Sequence, residues 1–587
     1  MAIIAKDIPR NIQQMLLSGL LIITVGLSSA KAQNYQKVQP KTPPVVAPPA
    51  EVPEATLPDN NGGKEIFLKK LVAIVFVDSI DKIQQEAKPA SGIVTNGLPF
   101  LESPEFHALV TPYLDQPLSM FRLQTLVREI VLYFRRQDRP VVDVSLPQQD
   151  ITGGVLQIVV TESKVGEIRV EGNKWFSSKS LINLIRLRTG DEISGRRLEA
   201  DVDTINQNPF CFTTIVFSAS KEIGATDIIL QTRDRFPARF YTGYENTGNT
   251  ITGVDRYFAG FNWGDAFGLG HQLNYQFETS GDGQASVANS GSYISPLPWG
   301  HTLTIFGAIS QSQADIAGVN LNGSGSQIGV RYKIPIEGVE GIYSHDFTLG
   351  YDWKQSSNSL DFGTIPVNAS ETDVGEIVFS YHGTVTDTWG ATTINPQIFW
   401  SPAQTWSHEL ASDYTSSRLG STPEYAYLRL EVSRITQLPA KFSLSNDFQY
   451  QISNAPLLSS EQLEFGGSQS IRGYNENDIS GADEGWTLRN ELRLPTISFG
   501  KLINLPIYQD QLQFLGFVDM GDAWAHTGQL TDNDGNARND IPMVGVGPGL
   551  RYTIGQYVSI RADYGFQLLD TGDRTGSCWS ISAILSY

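Results

Sequence analysis

From about Ala238 to Tyr587, roughly 350 residues of this 587-residue chain, apolar and polar residues alternate with a period of two. One such segment, RYFAGFNW, begins at Arg256, and its apolar residues are Tyr257, Ala259, Phe261 and Trp263. In an extended strand successive side chains point to opposite faces, so these residues share one face. About sixteen segments of roughly nine to twelve residues repeat the pattern, and their polar faces carry full charges. The pattern predicts a long series of two-faced strands.

Two classes of β protein show this alternation. A soluble sandwich buries its apolar face in a core, and a transmembrane barrel exposes that face to lipid. A sandwich of this length would divide into several domains, and no linker is visible between residues 236 and 587. A closed barrel pairs its backbone groups between strands and leaves no edge. Residues 236–587 are therefore predicted to form a transmembrane β-barrel of about sixteen antiparallel strands.

The N-terminal residues have the features of an export signal. Lys6 and Arg10 precede a short apolar run, and Ala30-Lys31-Ala32 provides the small residues of a cleavage site. Residues 1–32 are predicted to be a signal peptide. Residues 33–65 are rich in proline and polar, which predicts an extended periplasmic tether without a fold of its own. No later stretch offers the roughly twenty apolar residues of a spanning helix.

Between the tether and the barrel, the order strand, helix, helix, strand, strand occurs twice. Ser103 followed by Pro104 predicts the start of one helix of the first repeat. A second helix follows from the spacing of three and four residues between Leu123, Leu126, Val127, Ile130 and Phe134. We expect two small periplasmic α+β domains, at residues 66–162 and 163–235.

Composition argues against several classes of function. The formal charge of −19 opposes nucleic-acid binding, which needs clustered basic residues. The chain has no nucleotide-binding loop and no hydrolase motif, and its seven histidines lack metal-ligand spacing. We expect no enzymatic activity, cofactor, metal or nucleotide. Cys211 and Cys578 lie in different predicted domains and are expected to be unpaired.

An arginine stands out in the long connection GGSQSIRGYNENDISGADEG, which extends from Gly466 to Gly485. Long connections of such barrels lie outside the cell or fold into the lumen. In the later strand LQFLGFVDMGDAW, the lipid face contains Leu512, Phe514, Val518 and Met520, so the lumen face contains Phe517, Asp519 and Gly521. A carboxylate in the lumen wall would pair with a loop guanidinium. The interpretation of Arg472 as an ordinary solvated arginine stays open on composition alone.

The strand VGVGPGLRY turns Gly545, Gly547 and Gly549 toward the lumen. Three glycines on one face remove side chains where an inserted loop needs room. Ordinary barrel curvature explains the same glycines equally well.

Two motifs resemble those of a known family. SIRGY resembles the V/I-R-G-Y/F motif in the sixth extracellular loop of two-partner secretion transporters, the TpsB proteins of the ShlB/FhaC/HecB haemolysin secretion and activation type, and FVDMG is similar to their F-x-D-x-G strand motif. The resemblance implies two periplasmic POTRA domains and a sixteen-stranded barrel. It also implies that Arg472 contacts Asp519 and holds the loop, that Gly473 allows close approach, and that Tyr474 and Phe517 pack beside the pair, with Ile471 and Gly521 completing the motifs.

The implied function is export of a secreted exoprotein, a TpsA-like partner that is unfolded in transit. It would bind the POTRA domains and cross the outer membrane of a Gram-negative-type bacterium through the lipid-embedded barrel. Many family members have a plug helix at the N-terminus, but Gln33–Gly63 has no helical period and many prolines. By resemblance, either the plug is missing or something else closes the channel.

Two other functions remain open from the residues. An outer-membrane protein assembly factor of the same superfamily would carry more than two POTRA domains. A passive diffusion porin would need no periplasmic domain.

Overall fold

The computed structural model describes most of the chain beyond the predicted signal peptide, which lies outside the described residues. The described ranges are 35–43, 51–53, 62–85, 88–96, 98–222, 224–249, 251–316, 319–339, 342–362, 365–505, 509–572 and 576–587. Within these ranges, no helix has the length and apolar character needed to cross a membrane.

A four-residue helix, α1 (Tyr35–Val38), precedes the first periplasmic domain. That domain contains β1 (Ile66–Leu68), β2 (Ala73–Val77), β3 (Gly92–Val94), α2 (Pro104–Val110), β4 (Leu118–Ser119), α3 (Met120–Arg136), β5 (Val142–Ser145) and β6 (Val155–Glu162). Three 3-10 turns cover Ile80–Lys82, Pro99–Glu102 and Thr111–Tyr113. The main sheet has the order β3-β2-β6-β5, and β1 pairs separately with β4.

The two helices of this domain form as the sequence predicts. The Ser103 hydroxyl accepts a hydrogen bond from the Phe106 amide at 3.1 Å, which caps α2. In the predicted apolar stripe of α3, all members except Val127 pack in the core with Ile74 and Phe76 of β2, and Val127 is also buried. Burial of this stripe against the sheet stabilises the domain.

The second periplasmic domain contains β7 (Lys164–Glu171), α4 (Ser178–Asn183), α5 (Gly195–Asn206), β8 (Cys211–Ala219) and β9 (Ala225–Asp234). Its sheet has the order β7-β9-β8, with β7 parallel and β8 antiparallel to β9. Among the described strands, β8 therefore lies at an edge of the sheet. Burial raises the pKa of the Cys211 thiol to about 12. Within the described residues, Cys211 and Cys578 form no disulfide bond, as predicted.

Sixteen antiparallel strands form a closed barrel, which confirms the predicted fold class. The first strand pairs with the last, from Tyr241 opposite Ser586 to Glu245 opposite Ser582. The barrel strands are β10 (Ala238–Glu245), β11 (Arg256–Ala266), β12 (His271–Ser280), β13 (Ser286–Pro296), β14 (Thr302–Ile316), β15 (Val319–Val339), β16 (Tyr343–Phe362), β17 (Ile365–Asp387), β18 (Gly390–Pro402), β19 (Glu424–Gln437), β20 (Ser443–Ser453), β21 (Glu484–Arg493), β22 (Asp510–Trp524), β25 (Asp540–Ile554), β26 (Val558–Gln567) and β27 (Ser577–Ser586).

The remaining elements lie in the connections. They are a 3-10 turn at Pro439–Lys441, the helices α6 (Ala411–Ser417) and α7 (Phe499–Leu502), and the small hairpin of β23 (Leu530–Thr531) and β24 (Ala537–Arg538). Because β10 follows the periplasmic domain and strands alternate in direction, every connection after an odd number of barrel strands is extracellular. The fifth is loop L5 (residues 403–423) and the sixth is loop L6 (residues 454–483).

Strand β22 shows the predicted two faces. Phe514 and Val518 are exposed on the outside, whereas Phe517 and Asp519 are buried inside the barrel. Leu512 differs from the prediction because it is buried. Its backbone exchanges two hydrogen bonds with Ile497, so the periplasmic connection covers this end of the strand.

Candidate gating site in the barrel lumen

Loop L6 folds into the barrel instead of remaining in solvent. Phe465, Ile471, Tyr474 and Ile479 are buried and form a cluster with Ala523, Ile541 and Met543 of the barrel wall. Removing this apolar surface from water favours the inserted position. Arg472 lies beside the cluster and is one of the largest fully enclosed side chains of the described residues.

Arg472 contacts Asp519, as the resemblance of the two sequence motifs implied. Arg472 Nε and Nη2 donate to the two Asp519 carboxylate oxygens at 2.6 and 2.8 Å, and the Arg472 amide donates to Oδ2 at 3.2 Å. The Phe517 ring lies 3.7 Å from the guanidinium carbon. A forked contact with an aromatic ring against the guanidinium fixes both the position and the orientation of the arginine.

Sequence reasoning missed further charges around Arg472. Arg472 Nη1 donates to Glu491 of β21 at 2.6 Å and lies 3.6 Å from Asp563 of β26. Arg551 Nη1 in turn donates to Asp563 at 2.7 Å, and Arg493 Nη2 donates to Glu491 at 2.7 Å. The contact between Arg472 and Asp519 is therefore part of a network across several strands, in which buried carboxylates share several guanidinium groups. The sequence signal that could have revealed these residues is the period-two alternation of their strands, which places their side chains on the lumen face.

Glycines allow the loop backbone to approach the wall. A Cβ at Gly545 would lie 1.8 Å from the Arg472 carbonyl oxygen, and one at Gly565 would lie 2.4 Å from the Gly473 amide nitrogen. Gly473 has φ +104°, which side-chain-bearing residues rarely adopt. Gly521 leaves room for Ile471, since a Cβ at Gly521 would lie 2.9 Å from Ile471 Cδ1.

The other two predicted lumen glycines have a different role from the one expected. A Cβ at Gly547 would collide with the Tyr564 carbonyl oxygen, and one at Gly549 would collide with the Asp563 carboxylate. These glycines make room for the wall and its charged network, and of the three only Gly545 makes room directly for the loop. Strand spacing cannot separate the two cases, because both place glycine on the same face.

Tyr474 anchors the loop to the wall through its hydroxyl. The hydroxyl donates to the Leu569 carbonyl oxygen at 2.8 Å and accepts from the Val544 amide at 3.1 Å. Tyr474 therefore binds backbone groups of the barrel wall instead of packing on the Arg472–Asp519 pair. Of the two aromatic residues expected beside that pair, Phe517 packs against it.

The segment 35–43 also lies in the lumen, which corrects the expectation of a tether without structure. Tyr35 packs on Phe306 with 4.5 Å between ring centroids, and Val38 is buried against Ala288 and Ala308. Lys41 pairs with Glu245 at 3.1 Å. Four helical residues are too short to show a period, so contacts with the wall determine their conformation.

The lumen segment touches L6 directly. Lys37 Nζ lies 3.0 Å from the Glu464 carboxylate, and both side chains are more than a third exposed. Farther along, the Val52 amide donates to Glu199 of the second periplasmic domain, and the Gly62 amide donates to Gln124 of the first. The region predicted as a tether thus contacts the barrel and both periplasmic domains.

A polar cavity of about 2290 Å³ remains inside the barrel and its extracellular mouth. The cavity is lined by residues of the lumen segment 35–43, by L6 and by charged wall residues such as Arg331, Lys354 and Glu431. The lumen is wide and lined by polar and charged side chains, but two separate segments obstruct it.

Comparisons with known proteins agree with this architecture. The profile of the haemolysin secretion/activation protein family ShlB/FhaC/HecB matches residues 224–552, and an ShlB-type POTRA domain matches residues 89–163. A further POTRA match, described as a surface antigen variable number repeat, covers residues 163–231.

Individual relatives are distant but cover most of the chain. The haem/hemopexin transporter protein HuxB of Haemophilus influenzae is 24% identical over 422 residues, which cover 69% of this chain and 72% of HuxB. The outer membrane transporter CdiB of Escherichia coli is 25% identical over 449 residues, which cover 74% of this chain and 72% of CdiB.

The solved structure of CdiB from Escherichia coli has the same fold, with a TM-score of 0.72 at 19% identity; the match covers 98% of this chain and 97% of CdiB. The family match spans more than half of the sequence and includes the barrel that holds Arg472. The chain belongs to the ShlB/FhaC/HecB family of haemolysin secretion/activation proteins, which makes it a two-partner secretion transporter of the outer membrane.

Proposed function

We propose that this transporter exports an unfolded exoprotein through the barrel lumen and that Arg472 and Asp519 control access to the lumen by holding L6. The observation that carries the proposal is the obstruction of a polar lumen by two segments that are attached through ion pairs. A passive porin needs neither segment. Ion pairs can be broken when water solvates the separated charges, so an obstruction that is held by ion pairs can be reversed.

The ion pairs that hold the two segments differ in burial. Residues 35–43 are held by two partly exposed pairs, Lys37–Glu464 and Lys41–Glu245, and exposed pairs contribute about 0–1 kcal/mol each. Arg472 is 2% exposed and Asp519 is 0% exposed, so separating them leaves buried charges without their partner. We expect residues 35–43 to leave the lumen first and L6 to follow only when the cargo supplies enough binding energy.

Recognition begins at the edge strand β8 of the second periplasmic domain. An extended polypeptide can add to a free sheet edge through backbone hydrogen bonds, which need little sequence specificity. Strand β8 has nine residues, and Thr214 and Val216 are exposed on it. By comparison, β5 at the corresponding edge of the first domain has four residues.

Two experiments test the proposal in cells. Deletion of the gene should remove one large protein from the culture medium, and the wild-type gene should restore it. The double variant Thr214→Lys/Val216→Lys should secrete less, because lysines on an edge strand oppose strand addition. The control variant Ala200→Lys/Thr204→Lys adds the same charge on α5. Equal secretion by both double variants would reject β8 as the recognition edge, and an unchanged medium after deletion would reject export.

A further inference from the structure

Loop L6 has a second ionic contact with the barrel, far from Arg472. Lys354 Nζ of β16 donates to the two Glu461 carboxylate oxygens at 2.8 and 2.7 Å and to Glu376 of β17 at 2.6 Å. The three side chains are almost fully buried. Three strands, β18–β20, separate this wall from β21, where the Arg472 network begins. L6 is thus bound to two separate parts of the lumen wall.

Each carboxylate of this second site also accepts a hydrogen bond from a tyrosine. The Tyr427 hydroxyl donates to Glu461 at 2.8 Å, and the Tyr425 hydroxyl donates to Glu376 at 3.2 Å. One lysine cation therefore contacts both buried carboxylates, and each carboxylate also accepts a hydrogen bond from a neutral tyrosine. Removal of the lysine from such a site leaves buried carboxylates without their cation, which is strongly destabilising.

The part of L6 around Glu461 is fixed by further contacts. Leu457 and Leu458 are buried against Val374, Val378 and Phe399 of the wall. Gln451 Nε2 of β20 donates to the Glu461 carbonyl oxygen at 2.9 Å and to the Asp483 carbonyl oxygen at 3.0 Å, which joins the two ends of the loop. Arg418 of L5 binds the Asp483 carboxylate with its Nη2 at 2.8 Å. These contacts define a root of L6, residues 454–465.

Two glycines separate the root from the rest of the loop. Gly466 and Gly467 have φ angles of +91° and +105°, a conformation in which glycine changes direction at low cost. The segment after them, residues 468–479, contains Arg472 and is here called the tip. Root and tip are therefore joined at two glycines and bound by ion pairs to different walls, while Phe465 at the end of the root packs with Ile471 and Tyr474 of the tip.

We propose that Lys354 is a positioning residue that clamps the root of L6 through Glu461, independently of Arg472. Release of Arg472 then frees the tip to turn about Gly466–Gly467 while the root stays on the wall. Complete removal of L6 from the lumen requires release of both anchors. The clamp is a property of the protein without cargo, so its test does not depend on whether the protein exports an exoprotein.

The chemistry of the clamp predicts an order among its variants. Lys354→Met removes the cation and leaves Glu376 and Glu461 facing each other in a buried site. Glu461→Gln leaves the pair Lys354–Glu376 intact and loses only the loop partner. We expect the lysine variant to loosen the root more than the glutamate variant, and addition of Glu461→Gln to Lys354→Met to restore part of the loss.

Spin labels on the full-length protein report root and tip separately. In a Cys578→Ser background, a label at Ser459→Cys reports the root and a label at Gln469→Cys reports the tip; both native side chains are exposed and Cys211 is buried. Lys354→Met should increase the mobile fraction of the EPR signal at position 459 by about tenfold or more. Arg472→Ala should mobilise position 469 and leave position 459 unchanged.

The control is Arg434→Met, which removes an ion pair between β19 and Asp387 away from L6. Folding of every variant is checked by heat-dependent migration on gels, and Glu461→Gln tests the clamp if Lys354→Met does not fold. An immobile root in both clamp variants would overturn the proposal. Equal mobilisation of root and tip by Arg472→Ala would overturn the independence of the two anchors.

Discussion

Replacement of Arg472 by alanine is expected to release the tip of L6 from the lumen. Within the described part of the chain, the hydrogen bonds to the Asp519 carboxylate come from Arg472 alone. The substitution leaves this carboxylate, at 0% exposure, without its cation, and it also removes one cation from Glu491. It further removes the guanidinium that packs on Phe517.

The expected size follows from the burial of the pair. Loss of one partner of a buried ion pair costs about 3–5 kcal/mol. Because about 1.4 kcal/mol changes an equilibrium constant tenfold, the ratio of released to inserted tip should rise by roughly two to three and a half orders of magnitude. Asp519→Asn should have a smaller effect, since Arg472 keeps its contact with Glu491 and the amide oxygen still accepts a hydrogen bond.

Ion conductance of the full-length protein in planar lipid bilayers measures this release. Arg472→Ala should spend far more time in a high-conductance state than the wild type, with Asp519→Asn between them. Arg434→Ala, which breaks a partly exposed ion pair of the wall, should behave like the wild type. Equal conductance of Arg472→Ala and Arg434→Ala would refute the reasoning from burial.

Three further predictions concern glycine, the lumen segment and the thiols. Gly545→Ala should destabilise inserted L6 by about 1–3 kcal/mol and raise conductance, whereas Gly516→Ala, whose Cβ meets nothing within 4 Å, should not; equal conductance of the two would contradict the close approach to Arg472. Deletion of residues 35–43 should raise conductance, while unchanged heat-dependent migration on gels shows that the barrel still folds. Unchanged conductance would contradict the idea that these residues obstruct the lumen. Maleimide at pH 7 should modify Cys211 only after unfolding, since burial raises its thiol pKa to about 12 and thiolate forms only as the pH approaches that value; rapid modification in the folded protein, measured by mass spectrometry with Cys578→Ser, would contradict the burial.

The barrel could be predicted because its signal is distributed over many strands. The alternation of Phe514, Val518 and Asp519 on β22 is a local property, and the exposures in the structure follow it. The predicted contact between Arg472 and Asp519 came from motifs, and the geometry brings the two side chains together. The role of that contact in gating stays a prediction.

Other parts depend on which strands become neighbours across the lumen. Glu491, Asp563 and Arg551 lie on three strands, and their convergence on Arg472 follows from the register of the closed sheet, which the sequence does not display. The clamp between Lys354 and Glu461 joins residues 107 positions apart. Such contacts become visible only when the barrel closes.

The lumen segment was missed for a different reason. Its helix has four residues, and prolines follow it closely, so local propensity favours an extended tether. Contacts with Phe306, Ala288 and Ala308 of the barrel wall stabilise the helix that local propensity does not favour. Tertiary contacts here override a local preference.

Passage of a polypeptide through the lumen is the central claim, and site-specific photocrosslinking in cells tests it directly. A photoreactive amino acid at Gln449, which lines the cavity, should crosslink to the exoprotein during secretion. The same amino acid at Phe514, which is exposed on the outer face of β22, should not. Crosslinks from Phe514 with none from Gln449 would contradict passage through the lumen.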